Sequence, residues 1–171
     1  AVKHVLAKSK APVTSRSVSF LVQNVTSWRS EHLRWLNELS CDVIFLQETH
    51  VPQSGTSAFV SQLLKAGFHA FVSPSEPSTV ATNSGGFCVA ARSHVNAQAG
   101  PEYRRAGCGY VSCLIRFKGW TLALFSVYLQ SSVGIHVEPN LSILSSLGGH
   151  LASLNCPWIA AGDWNSPPPR P

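Results

Sequence analysis

The sequence contains no methionine, and only 12% of its 171 residues are charged. Globular chains usually carry about 25% charge. With 44% apolar residues, much of this chain expects burial, in part against sequence beyond it. Lacking an initiator residue, it reads as an excerpt from a longer product or as a processed one. Cys41, Cys88, Cys108, Cys113 and Cys156 include no Cys-x-x-Cys pair, and no histidine stands at ligand spacing from them. That argues against zinc. Their odd number, and the apolar strands around several of them, point to reduced, partly buried thiols in an intracellular protein. No apolar run approaches the ~20 residues of a membrane helix, and no secretory cleavage signal is present. Acidic residues are scarce too, only 8 in all.

What is present suits one domain with a real core. The net charge of +5 is unevenly placed: residues 1–16 hold Lys3, Lys8, Lys10 and Arg16 and no acid. We read residues 1–16 as a basic flexible arm and residues 17–171 as the folded part. The arm is expected to carry most of any salt-sensitive, non-specific DNA affinity. The high pI is then weak evidence for a nucleic-acid surface on the fold itself.

Val18 to Val22 predicts a strand, with Asn24 just beyond its end. Ser30 is placed as an N-cap before a helix that buries Leu33, Leu36 and Leu39. The apolar run Val43 to Leu46 predicts a buried strand parallel to the first, through a βαβ unit. At its carboxyl end stand Gln47, Glu48, Thr49 and His50. A second helix carries Phe59, Val60, Leu63 and Leu64 and stops at Gly67. A short strand, His69 to Val72, precedes a surface loop from Ser73 to Ser84. Gly85-Gly86 opens the strand Phe87 to Ala91, as a close backbone approach, a bulge or a simple turn. Lys118-Gly119 joins Tyr110–Phe117 to Trp120–Leu129 in an antiparallel hairpin. Pro139 begins a third helix with Leu141, Leu144, Leu147, Leu151 and Leu154 on one face. The strand Trp158 to Ala161 delivers Gly162-Asp163-Trp164-Asn165.

Four apolar strands thus end in Asn24, Glu48, Tyr128 and Asp163 with Asn165. Parallel-type sheets bind ligands at the carboxyl ends of their strands. A carboxylate there, over an apolar floor, suits a hard cation such as Mg²⁺. A second carboxylate can take a proton from an attacking water. Amides and a phenol can bind phosphoryl oxygens as charge develops on them. The chemistry that wants this set is phosphate-ester hydrolysis.

The order Val-Gln-Asn24, Leu-Gln-Glu48-Thr-His50, Gly85-Gly86, Ser-Val-Tyr128 and Gly-Asp163-Trp-Asn165 resembles the endonuclease/exonuclease/phosphatase superfamily, over about residues 17–168. The Gln-Glu-Thr-His form is most similar to endonucleases of LINE-type non-LTR retrotransposons, relatives of the apurinic/apyrimidinic endonucleases. The resemblance implies a four-layered α/β sandwich of two packed mixed sheets with outer helices. It implies Glu48 as metal ligand, for Mg²⁺ or Mn²⁺, with Asn24 ordering the site. Tyr128 would contact the scissile phosphate. Asp163 would activate or position the water, and Asn165 would bind the phosphate or orient Asp163. The implied partner is DNA, with no membrane, and the implied location is nuclear for a retrotransposon product.

Two departures qualify the likeness. Thr26 stands where many members carry Asn or Asp. The closing Ser-Asp-His motif, with a metal-linked Asp and a phosphate-contacting His, is not in the sequence. The expectation is a domain truncated at its C-terminus, continuing beyond Pro171, inactive or nearly so alone and prone to aggregate through open strand edges. Two other readings stand beside it. One is an inositol-phosphate phosphatase or sphingomyelinase of the same fold. The other is a decayed, non-catalytic fragment, or a domain that only binds nucleic acid or a partner.

Overall fold

The computed structural model describes residues 3–6, 17–77 and 83–165. In chain order the elements are β1 (Lys3–Leu6), β2 (Ser19–Asn24), α1 (Glu31–Glu38), β3 (Val43–Gln47), α2 (Thr56–Lys65), β4 (Phe68–Ser73), β5 (Glu76–Pro77) and β6 (Asn83–Ser84). There follow β7 (Phe87–Arg92), β8 (Ala97–Arg105), β9 (Cys108–Phe117), β10 (Trp120–Tyr128), α3 (Asn140–Ser153) and β11 (Trp158–Asp163).

Two sheets form the body, ordered β1-β2-β3-β7-β4 and β11-β10-β9-β8. In the first, β2 and β3 are parallel, with Asn24 opposite Gln47. β3 is buried along its whole length. That is why its sequence is a continuous apolar run rather than an alternation. Its side chains still divide by the period of two. Val43 and Phe45 join Phe20 in one core, while Ile44 and Leu46 join Leu21, Leu36, Phe59 and Leu63 in another. The helices α1 and α2 therefore cover the outer face of this sheet.

In the second sheet β10 pairs antiparallel with β9 and parallel with β11. Between the sheets Gln47 Nε2 donates to Ser126 Oγ at 3.0 Å, fully buried. The opposite face of β9 and β10 packs on α3. There Ile143 and Leu147 are buried, and the Tyr110 hydroxyl bonds Ser146 Oγ at 2.8 Å and the His150 ring. The result is helix, sheet, sheet, helix: the four-layered α/β sandwich.

Several local expectations need correction. Ser30 does occupy the N-cap position, but it has helical backbone angles and makes no side-chain cap bond. The first turn is closed instead by the Arg29 N–H donating to His32 Nδ1 at 2.9 Å. Leu36 is the one buried residue of α1; Trp35, and Leu39 past the helix end, pack half-buried on the same core, and Leu33 is only half-buried. In α2 Phe59 and Leu63 are buried but Leu64 is exposed. The buried face of α3 runs through Asn140, Ile143 and Leu147, leaving Leu141 in solvent. Within the expected loop, Ser73 and Ser75 are buried and β5 pairs with β6; residues 78–82 lie outside the described residues.

β8 was not legible at all. Gly100-Pro101 reads as a break, yet it sits at a register shift between Ala99 and Glu102 on the sheet's edge, where proline is tolerated. Lys3–Leu6, inside the expected arm, pairs antiparallel with β2. Residues 1–2 and 7–16 lie outside the described residues, as do residues 166–171. Among the described residues all five cysteines are free, four of them buried. No described helix is long and apolar enough to cross a membrane.

Candidate active site

β2 and β3 run parallel, as do β10 and β11, and their carboxyl ends share one rim of the sandwich. Tyr128 stands directly opposite Asp163 in register. Two hydrogen bonds cross from sheet to sheet there. Asn24 Nδ2 donates to Asp163 Oδ2 at 3.0 Å, and the Tyr128 hydroxyl donates to Glu48 Oε1 at 3.1 Å. The structure thus brings Asn24, Glu48, Tyr128, Asp163 and Asn165 together.

The Asn24 amide is held at both ends. Its Oδ1 accepts from the Thr26 N–H at 3.0 Å, which leaves Nδ2 aimed at Asp163. Thr26, the first departure from the motif, thereby serves to orient Asn24. Asp163 Oδ1 accepts from the Asn165 N–H at 3.1 Å. Asn165 therefore steadies Asp163 through its backbone, while its side-chain Nδ2 donates to the Leu129 carbonyl at 2.6 Å. Burial pushes the Tyr128 phenol far above its ordinary pKa, and the charges of Glu48 and then Asp163 add to this. The hydroxyl is therefore a donor at any working pH.

Glu48 lies in an unusual backbone conformation, with φ of 53°. Thr26, Ser27, His50 and Asn165 on the same rim also have positive φ. Such angles cost a non-glycine residue of order 1–3 kcal/mol each and cluster where surroundings over-determine them. Here both sides clamp the chain. The Ser27 and Trp28 N–H groups donate to the Glu48 and Thr49 carbonyls, at 2.7 and 2.8 Å. On the other side the Thr49 and His50 N–H groups donate to the Gly86 and Gly85 carbonyls, at 2.9 and 3.0 Å. Of the three readings of Gly85-Gly86, the close approach is the one found. A Cβ on Gly85, at φ +74°, would lie 1.9 Å from the Gly107 carbonyl oxygen. Gly85→Ala is expected to lower the melting temperature by roughly 5–10 °C. Gly119→Ala, in the hairpin turn with φ +90° and no atom within 4 Å, should cost clearly less. Equal losses in thermal melts followed by circular dichroism would contradict the steric account.

Missed by sequence reasoning was Asn140. Buried at the start of α3, its Oδ1 accepts from the Gln130 N–H at 2.8 Å, and its Nδ2 donates to the Gln130 and Val133 carbonyls at 3.1 Å each. It pins the loop that leaves Tyr128. An Asn just inside a helix normally reads as a surface residue, so nothing short of a contact map would find it.

Among the described residues no three or more His, Cys, Asp or Glu side chains gather as a metal cluster. The donors on the rim are carboxylate and amide oxygens. Mg²⁺ needs only one or two carboxylates and keeps several waters, so the donor set fits that ion and not a soft one.

The model of the Endonuclease/Exonuclease/phosphatase family matches residues 22–171. The chain belongs to this family. No curated protein sequence matches it. Its fold is similar to that of the AP endonuclease LMAP from Leishmania major, with a TM-score of 0.64 at 15% identity, covering 92% of this chain and 60% of that one. The endonuclease domain of TRAS1, a telomere-specific non-LTR retrotransposon, gives 0.56 at 17% identity, covering 87% and 61%. D. rerio TDP2, solved with a single-strand DNA product, gives 0.60 at 16%, covering 88% and 61%. The family and the likeness to a retrotransposon endonuclease are those read from the motifs. The chain spans about 60% of the length of the Leishmania structure. At such identities these likenesses establish the fold that family members share.

Proposed function

We propose that this chain carries the catalytic rim of a metal-dependent phosphodiesterase that nicks DNA, in the manner of a retrotransposon endonuclease. The observation that carries the reading is the pair of cross-sheet bonds, Asn24 to Asp163 and Tyr128 to Glu48. They join two carboxylates, an amide and a phenol that the sequence scatters over 140 residues.

Each group has a task in hydrolysis. Asp163 accepts one hydrogen bond on each oxygen, so its carboxylate is fixed in rotation. Each oxygen keeps a lone pair with which to orient a water and take its proton. Tyr128 stays protonated and can donate to an oxygen on which charge develops. Glu48 is the residue that would hold Mg²⁺, whose chemistry when bound is to neutralise phosphate charge and stabilise the leaving oxygen. DNA as the substrate is supported by the Gln-Glu-Thr-His form of the motif, which is most similar to retrotransposon endonucleases; the fold itself is shared with a 2',3'-cyclic phosphatase.

The test is nicking of supercoiled plasmid by a form of the protein spanning the full family domain. Relaxation in Mg²⁺ that stops with chelator and returns with excess Mg²⁺ is expected. Nicking indifferent to chelator would sink the reading.

A further inference from the structure

Asn24 also lines a second feature, on the helix side of β2. Gln23, Asn24 and Val25 form one wall of a cleft of about 250 Å³, and His32 and Trp35 of α1 form the other. His32 and Trp35 stand three apart, and so on one helix face.

The aromatic wall is braced. Trp28 stacks on His32 with centroids 5.2 Å apart and planes 23° apart, and meets Phe59 edge-on at 4.8 Å. The Trp28 indole N–H donates to Gln62 Oε1 at 2.8 Å. His32 Nδ1 accepts from the Arg29 N–H, so the neutral ring carries its proton on Nε2. Gln23 Nε2 donates to the Asn24 carbonyl at 2.8 Å, which leaves its Oε1 as an acceptor. Trp28 covers one His32 face and the His32 ring meets Trp35 edge-on at 6.3 Å, so the cleft offers the Trp35 indole, a ring N–H and an amide oxygen. Exposed Arg29 and Arg34 stand on the same segment; Arg29 meets Glu31 only at 3.9 Å in solvent, a pairing of little energetic weight.

Aromatic faces, hydrogen-bonding edges and nearby cations are the recognition chemistry of a nucleobase. The volume falls below the roughly 300–1,000 Å³ of whole small-molecule pockets, which suits one planar ring system. We propose that this cleft receives an unpaired nucleobase of the strand whose backbone passes Asn24. The inference rests on the phosphodiesterase reading and adds to it a preference for an unstacked nucleotide beside the cleaved phosphate.

The experiment is fluorescence anisotropy of a labelled thymidine decamer in chelator, against a decamer of abasic sites with the same phosphates. The chain should bind the base-bearing strand more tightly. Trp35 packs on the core beneath α1, so Trp35→Leu is used beside Trp35→Ala to keep its bulk, with His32→Leu as an independent variant. Each folded variant should lose affinity for thymidine by about 5- to 150-fold. None should change binding of the abasic strand or the salt dependence, because no phosphate contact is lost. Equal affinity for the two strands, equal losses on both, or no binding of either would overturn the subsite. Plasmid nicking reads the hydrolytic proposal separately. Base-dependent binding by the chain, with no nicking by the form spanning the full family domain, would refute hydrolysis and keep the cleft.

Discussion

Glu48→Ala is expected to abolish Mg²⁺-dependent nicking, a loss on the order of 10³-fold or more, and to remove Mn²⁺ binding measured by electron paramagnetic resonance. Glu48 and Asp163 are the two carboxylates on the rim, and Asp163 is engaged on both oxygens. Glu48 is engaged on Oε1, by Tyr128. Its main chain is clamped from both sides, so the carboxylate is presented rather than free to swing away. Glu48→Gln separates charge from shape. It keeps an acceptor for the Tyr128 hydroxyl, and it should still fail to hold metal, because a neutral amide is a poor substitute for a carboxylate on a hard cation. A Glu48→Gln protein with full activity would mean that the residue acts only through its hydrogen bond.

Asp163→Asn is expected to lower the nicking rate by about 10²–10⁴-fold, the usual worth of a positioned acid–base group, while Mn²⁺ binding changes far less. An amide cannot take the proton of the attacking water. It also has a single acceptor oxygen, so it can satisfy the donor from Asn24 or the one from Asn165 but not both. The reciprocal double variant, Asn24→Asp with Asp163→Asn, restores a donor and an acceptor across the sheets. It places the carboxylate on the wrong strand, and its rate should stay low. Recovery of activity in the double variant would show that the hydrogen bond matters and the position of the base does not. Metal affinity lost as completely as in Glu48→Ala would instead make Asp163 a ligand.

Strand ends were legible in this sequence for a physical reason. A buried strand cannot carry a polar side chain unless a partner meets it, so Asn24, Glu48, Tyr128 and Asp163 stood out against their apolar runs. Lys118-Gly119 marked the hairpin because two residues between apolar strands leave little other choice. Gln47 and Ser126 were hidden, since a satisfied buried pair looks in sequence like two ordinary polar residues. The same holds for Asn140. β8 was hidden by Gly100-Pro101, where Gly100 leaves room for Ser112 Oγ, 2.4 Å from where a Cβ would stand. The strained rim around Glu48 was invisible for a different reason. Glu, His and Thr are not turn residues, and their positive φ angles are imposed by long-range clamps rather than chosen locally.

The two bonds that close the rim join residues 139 and 80 positions apart in the chain. Synthesis delivers about 5–20 residues per second, so Glu48 leaves the ribosome on the order of ten seconds before its counterparts on β10 and β11. Through that interval the nascent chain holds a lone carboxylate and no partner to work with it. The rim proposed as catalytic is therefore assembled by its last strand, and an early product that stops short of β11 holds half a site.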